Sequence, residues 1–222
     1  MCGRYAIGNI DFKNRYSVSN YSSVEKDLTV RFNVAPGQEN PTIVKVEKDT
    51  ELRLMRWGLV PSWAKDEKIG YKMINARAET VDEKPSYKRL LKSQRCLIPA
   101  TGFYEWLKAK KQPYYIHLKD QDIFSFAGLY DKWKNPSGNE LDTYTIITTN
   151  ANKALKPIHD RMPVILKPED EQIWLSNEGD PDFLKNLLEP FPSEKIEAYP
   201  VNTSVNNPRN DDRSLIEKLN SQ

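Results

Sequence analysis

Apolar and polar positions alternate with a period of two over most of the chain from residue 96 onward, while helical spacing appears only in short pieces. Strands are predicted over 96–106, 113–118, 123–133, 143–149, 164–166 and 196–201, all rich in aromatic or β-branched residues. Upstream, 42–46 and 51–60 read as a hairpin around a Lys48-Asp49-Thr50 turn. Helices are predicted over 11–16, 84–94 (with Tyr87, Leu90 and Leu91 on one side), 151–156, 169–176 and 181–188, the last two amphipathic. The polar, serine-rich stretch to residue 25 carries no clear pattern. Pro36-Gly37 presets a turn after the extended 32–35 piece. Trp57-Gly58-Leu59-Val60-Pro61-Ser62-Trp63 holds a proline between two tryptophans, which suits a rigid loop with Trp57 in the core and Trp63 exposed. Many strands, peripheral helices and no repeat imply one α+β domain over 1–222, built on an antiparallel sheet or open barrel. Its core is expected over about 2–212, with a turn-like 206–212 and a tail over 213–222.

Composition narrows the setting. Thirty-three Lys+Arg against 31 Asp+Glu give a formal charge of +2, too little for a general nucleic-acid coat but compatible with one basic groove. No apolar run approaches the ~20 residues of a membrane span, and no signal segment opens the chain. A reducing cytoplasmic setting is therefore expected, with Cys2 and Cys96 unlinked. Two cysteines and two histidines without paired spacing point to no metal site.

Several residues could carry chemistry. Removal of Met1 would leave Cys2 as an N-terminal residue with an amine and a thiol on adjacent carbons. Their reference pKa values, about 8 and about 8.5, leave usable nucleophile near neutral pH. An aldehyde could condense with the amine and be closed by the thiol into a thiazolidine. Glu105 lies in the aromatic run Phe103-Tyr104-Glu105-Trp106, where burial would raise its pKa toward acid–base use, although alternation alone permits a solvent-facing carboxylate. His159 sits in a proline-flanked loop with Asp160 and Arg161, a setting for proton transfer, whereas His117 falls within a strand. Asn75 and Arg77 share a face if extended. They could orient an amine and grip a phosphate.

Taken together, Met1-Cys2-Gly3-Arg4-Tyr5, Asn33-Val34-Ala35-Pro36, the Trp57–Trp63 run, Asn75-Ala76-Arg77-Ala78-Glu79-Thr80, Gly102-Phe103-Tyr104-Glu105-Trp106 and Ile158-His159-Asp160-Arg161-Met162-Pro163 stand in order along nearly the whole chain. This ordered set closely resembles the SOS response-associated peptidase (SRAP) family, whose members attach covalently to abasic sites in single-stranded DNA. The resemblance implies Cys2 as the nucleophile, Asn75 holding its amine, Glu105 shuttling protons, and His159 assisting ring opening and slow reversal. It implies Arg4, Arg77 and Arg161 on phosphates, Thr148 in the pocket, and Pro36 with Trp63 as a wedge that splays bases. Some relatives have two adjacent tryptophans there, and this chain has Trp63-Ala64. The family also implies self-removal of the residue before Cys2. Single-stranded DNA with abasic sites is the implied partner of a monomer that uses no cofactor. The alternatives are an N-terminal-nucleophile amidotransferase or hydrolase, disfavoured by Arg4 and by missing glutamine-site motifs, and a non-catalytic single-strand-binding module.

Overall fold

The computed structural model describes residues 2–176 and 180–219. Met1 and the last three residues of the expected tail fall outside them. In chain order the elements are β1 (Arg4–Ile7), α1 (Phe12–Tyr16), α2 (Tyr21–Val24), β2 (Arg31–Val34), β3 (Glu39–Val46), β4 (Asp49–Trp57), β5 (Asn75–Arg77), α3 (Pro85–Ser93), β6 (Arg95–Ala100) and β7 (Gly102–Leu107). They continue with β8 (Gln112–Leu118), β9 (Phe124–Lys134), β10 (Glu140–Asn150), β11 (Arg161–Pro163), β12 (Ile165–Leu166), α4 (Pro168–Leu175), α5 (Pro181–Asn186) and β13 (Ile196–Pro200).

Five strands close on themselves in the order β10-β4-β3-β6-β9, because β10 pairs with β9 as well as with β4. Its strands contribute Ile43, Leu52, Leu97, Phe126, Leu129 and Tyr144 to the core, all buried. Beside it stands a five-stranded antiparallel sheet, β13-β8-β7-β1-β2. The α+β, β-rich expectation holds, with one correction: β10 runs parallel to β4 and to β5, so the architecture is mixed. Alternation along one strand cannot reveal the direction of its neighbours.

Local departures have local causes. The hairpin register pairs Val46 with Asp49, which moves the turn to Glu47-Lys48 with Glu47 at φ 51°. The second hairpin strand ends at Trp57, three residues early, because Gly58 adopts φ +121°. A Cβ on Gly58 would stand 2.7 Å from the Gly70 carbonyl oxygen, so the two loops touch backbone to backbone there. The expected strand 96–106 bends at Thr101, leaving β6 in the barrel and β7 in the second sheet. Residues 151–156 form turns instead of a helix. The Asn152 side-chain oxygen accepts the Leu155 amide at 3.1 Å, and Pro157 brings no amide to extend the turn. On α4 the inward side carries Glu171, buried and doubly bonded to Arg15 at 2.7 and 2.8 Å, so this helix is not simply amphipathic.

Residues 213–219 of the expected tail pack onto the fold. Leu215 is buried with Ala6, Tyr104, Tyr115, Val201 and Val205 under the second sheet. The Leu219 amide donates to the Pro200 carbonyl at 3.0 Å. Asn33, itself fully buried, donates through Nδ2 to the carbonyls of Val205, Asn207 and Asn210 and accepts from Arg4 at 2.9 Å. Asp211 accepts from the Phe32 and Asn33 amides at 2.6 and 2.9 Å and pairs with Arg31. Asn33→Ala strands those partners, and is expected to cost about 2–3 kcal/mol and roughly 5–10 °C in Tm. Calorimetry with limited proteolysis of the 203–212 segment checks it.

Candidate functional site

The site assembles where the residue before β1, the strands β5 and β7, and the 150–163 segment converge. Antiparallel pairing of β1 with β7, Arg4 opposite Tyr104, extends Cys2 toward Trp106. β5 is held by parallel pairing with β10, Ile146 opposite Asn75 and Thr148 opposite Arg77. The Trp57 indole N–H also donates to the Ile74 carbonyl at 2.9 Å and fixes the approach to Asn75. Asn75 Nδ2 donates to the Cys2 carbonyl at 2.8 Å. The Asn75 Oδ1 atom is buried and has no hydrogen-bond partner among the described residues.

Cys2 is fully buried, and its thiol makes one long contact, Sγ to the Arg4 carbonyl at 3.8 Å. Burial pushes its pKa well up, and the negative field of Glu105 adds to the shift. Burial therefore works against the usable thiolate expected from reference values. Cys96, the other thiol, is buried and also raised by burial; both cysteines are free. Glu105 takes the inward face of β7 with Phe103 and is only 3% exposed, so alternation does not deliver it to solvent. Burial raises its carboxyl above the ordinary value, and the nearby His159 partly opposes this. Cys2 and Glu105 each resist a negative charge, so a proton on one favours ionisation of the other. That coupling suits proton exchange between thiol and carboxylate.

His159 is largely buried, and its Nδ1 accepts the Arg161 backbone N–H at 2.9 Å. In the neutral ring this leaves the proton on Nε2. Asp160 Oδ1 lies 3.0 Å from the same Nδ1. The arginines divide. Arg161 is bound by Glu79 in a fork at 2.5 and 3.0 Å and donates to the Thr148 carbonyl at 2.6 Å. That pairing pulls the Glu79 carboxyl below its ordinary value. Arg4 is spent on Asn33 and on the Val205 carbonyl at 2.8 Å. Arg77 is exposed, and no salt bridge among the described residues engages it. Thr148 is buried, its hydroxyl donating to Ala76 O at 3.3 Å. Trp57 is core and Trp63 is 62% exposed, as the proline-split run suggested. Pro36 is half-buried in a turn closed by the Gln38 amide on Ala35 O at 3.3 Å and tied to β4 by the Gly37 amide on Trp57 O at 2.8 Å.

Sequence reasoning joined Cys2, Asn75, Glu105 and His159, and missed Glu79 as the partner of Arg161 and Tyr71 as an exposed aromatic. The first was legible only as a possible bridge between Glu79 and Arg77. The second carried no signal apart from a tyrosine among lysines. Among the described residues no group of three His, Cys, Asp or Glu side chains could hold a metal ion, and no helix is long and apolar enough to cross a membrane.

The family model described as SOS response associated peptidase (SRAP) matches residues 1–208. The chain belongs to that family. It is 48% identical over 223 residues to the abasic site processing protein YoqW of Bacillus subtilis, covering 98% of this chain and 99% of that protein. It is 38% identical over 214 residues to the abasic site processing protein HMCES of Xenopus tropicalis, covering 81% of this chain and 63% of the relative. A crystal structure of a protein from Bacteroides thetaiotaomicron superposes with a TM-score of 0.88 at 31% identity, covering 98% of this SRAP chain and 100% of the other.

The raised Glu105 carboxyl sets a pH-linked prediction. In acid, below its ordinary value of 4.5, both folded and unfolded states are protonated and ionisation costs nothing. As pH rises the unfolded chain ionises first, so stability falls until the higher folded value is passed. Glu105→Gln should therefore melt higher than the wild-type SRAP protein at pH 7, by about 2–4 °C per kcal/mol of relieved cost, with the gap closing toward pH 4. Calorimetry across that range checks the sign.

Proposed function

We propose that this protein traps abasic sites in single-stranded DNA, forming a covalent thiazolidine through Cys2 once Met1 is removed. The observation that carries the reading is Asn75: its amide nitrogen holds the Cys2 carbonyl at 2.8 Å, while its buried oxygen stands unpartnered. A free ammonium or amine on Cys2 supplies the donor that this oxygen lacks, so the pocket fits a processed N-terminus. The family membership and the names of the relatives support the substrate class.

The geometry supports the following chemistry. The Cys2 amine condenses with the ring-opened aldehyde, releasing water. The thiol then adds to the imine carbon and closes the five-membered ring. Glu105, with its raised pKa, is suited to accept the thiol proton as sulfur adds to the imine carbon and to pass it to the imine nitrogen, which becomes the ring N–H; a general catalyst of this kind contributes typically 10²–10⁴-fold. His159, with its proton directed to Nε2, is placed near Glu105 to help open the hemiacetal and to reverse the adduct. The same pocket serves the self-removal of Met1, which gives the peptidase activity in this reading. Arg77 contacts a phosphate of the bound strand. Arg161, oriented by Glu79 and Thr148, flanks it, and Arg4 contributes by fixing β1.

Intact mass before and after mixing with a single-stranded oligonucleotide carrying one abasic site tests the proposal. The expected product is protein lacking Met1 plus oligonucleotide minus one water, and Cys2→Ala forms none. A Cys2→Ala variant that crosslinks as well as wild type would sink the reading. Arg77→Ala should weaken binding to intact single strands and reduce the slope of log K against log salt by about 0.7, the share of one phosphate contact. An unchanged slope removes Arg77 from the phosphate path.

A further inference from the structure

Arg161 has no accessible donor left for a ligand while Glu79 stays in place. A guanidinium offers five N–H donors in a fixed fork and keeps its charge. The four on the terminal nitrogens are all engaged. Nη1 donates to Glu79 Oε1 at 2.5 Å and to Asn150 Oδ1 at 3.1 Å. Nη2 donates to Glu79 Oε2 at 3.0 Å and to the Thr148 carbonyl at 2.6 Å. The fifth, on Nε, is buried. The Arg161 side chain is 11% exposed and that of Glu79 is 43% exposed, so the carboxylate is the solvent-facing half of the pair.

The place of this pair gives it a consequence. Thr148 stands between two arginines: it pairs with Arg77 along one edge of β10, and its carbonyl holds Arg161. Glu79 follows Arg77 by two residues and is near enough to feel its charge. The Arg161 hydrogen bonds, with the Arg77 charge behind them, hold the Glu79 carboxyl below its ordinary value, so it is ionised at neutral pH. Two cations therefore share one built-in anion. A carboxylate forked onto an arginine has the bidentate geometry of a phosphate on the same group. Among the acceptors on Arg161, the Thr148 carbonyl is fixed in β10 and Asn150 brings no charge. Glu79 is the one that a phosphate resembles.

We infer that Glu79 is a specificity-determining residue: it occupies on Arg161 the place that a DNA phosphate would take, and so withholds that contact from undamaged strands. A strand gains Arg161 only by displacing a carboxylate, and it meets the same negative charge beside Arg77. Non-covalent affinity is thereby held down, and retention falls to the covalent step at Cys2, which only an aldehyde completes. This rests on the proposed function for the polymer and for that step, while the masking of Arg161 itself does not depend on the crosslink.

The test is fluorescence anisotropy of a labelled single-stranded oligonucleotide without any abasic site, titrated with wild-type protein, Glu79→Gln, Arg161→Ala and the double variant. Glu79→Gln keeps the size and removes the charge. It should bind roughly 2- to 10-fold tighter, with a slope of log K against log salt steeper by about 0.7, one freed phosphate contact. In the Arg161→Ala background the same substitution should lose that extra slope and most of the gain, which a general change of surface charge would not. Excess intact strand should also slow adduct formation on an abasic oligonucleotide more for Glu79→Gln than for wild type. Glu79→Ser, which drops the same charge from a smaller side chain, repeats the titration if Glu79→Gln melts well below wild type. Weaker or unaltered binding once the charge is gone overturns the assignment, because Glu79 would then orient Arg161 or play no part. A gain that survives Arg161→Ala overturns it too. Wild-type protein that binds intact strands but forms no adduct with abasic ones sinks the crosslinking function and leaves the Glu79 result readable.

Discussion

The structure depends on the pairings of β10. Its first half closes the barrel by antiparallel pairing with β9, Glu140 opposite Lys134 through Ile146 opposite Gly128. Its other edge takes β4 and then β5 in parallel, and its last three residues take β11. One continuous strand therefore fixes Asn75 and Arg77 on one side and Arg161 on the other, around Thr148. A parallel neighbour cannot be supplied by a hairpin, and residues 78–139 separate β5 from β10; β5 follows β4 along the same edge of β10 after an excursion from Trp57 through residue 74. That excursion is pinned by the Trp57 indole on Ile74 and by the amides of Gly58 and Leu59 on Tyr144 and Met73. The loop that displays Trp63 and Tyr71 is thus a consequence of delivering Asn75.

The second constraint is electrostatic. Cys2 and Glu105 are both buried, and both are pushed toward their protonated forms by burial and, for Cys2, by the neighbouring carboxylate. A fold selected for stability alone would place neither an ionisable carboxyl nor a thiol there. Keeping the thiol protonated protects it from oxidation and from stray electrophiles, since the thiolate is the reactive form. In the proposed function, Glu105 accepts that proton and restores reactivity when the aldehyde arrives. The cost in stability and the gain in reactivity come from the same burial.

Much of this was legible in the sequence, for definable reasons. Period-two runs gave the strands from residue 96 onward, and the proline-split tryptophan run separated core Trp57 from exposed Trp63. Cys2, Asn75, Glu105 and His159 emerged as a set only through ordered blocks spread over the chain, because their proximity depends on pairings more than 50 residues apart. What pattern could not reach were features decided by a partner in space. The parallel direction of β5 and β4 against β10 is one. The capture of Arg161 by Glu79 across 82 residues is another, and the spending of Arg4 on Asn33 a third. The Asn152 turn was misread as helix because an asparagine side chain can replace the backbone acceptor that helical spacing assumes.

The docking of residues 203–219 ties reactivity to completion of the fold. Strand β1, which carries Cys2 at its head, is gripped through Arg4 by Asn33 and by the carbonyl of Val205, 201 residues away. Asn33 in turn needs the carbonyls of 205, 207 and 210, and β2 needs Asp211 on its amides. Contacts of such sequence separation form late, since the chain must lose the entropy of closing a long loop before they repay it. Cys2 stands at the head of the chain and is among the last residues to be positioned. Until the 203–211 segment is seated, Arg4 has no clamp and Cys2 has no fixed relation to Asn75 and Glu105. An N-terminal cysteine free to meet aldehydes in an unfolded chain would react without discrimination. Here the fixed relation of Cys2 to Asn75 and Glu105, on which the proposed function rests, arises only with that segment of the fold.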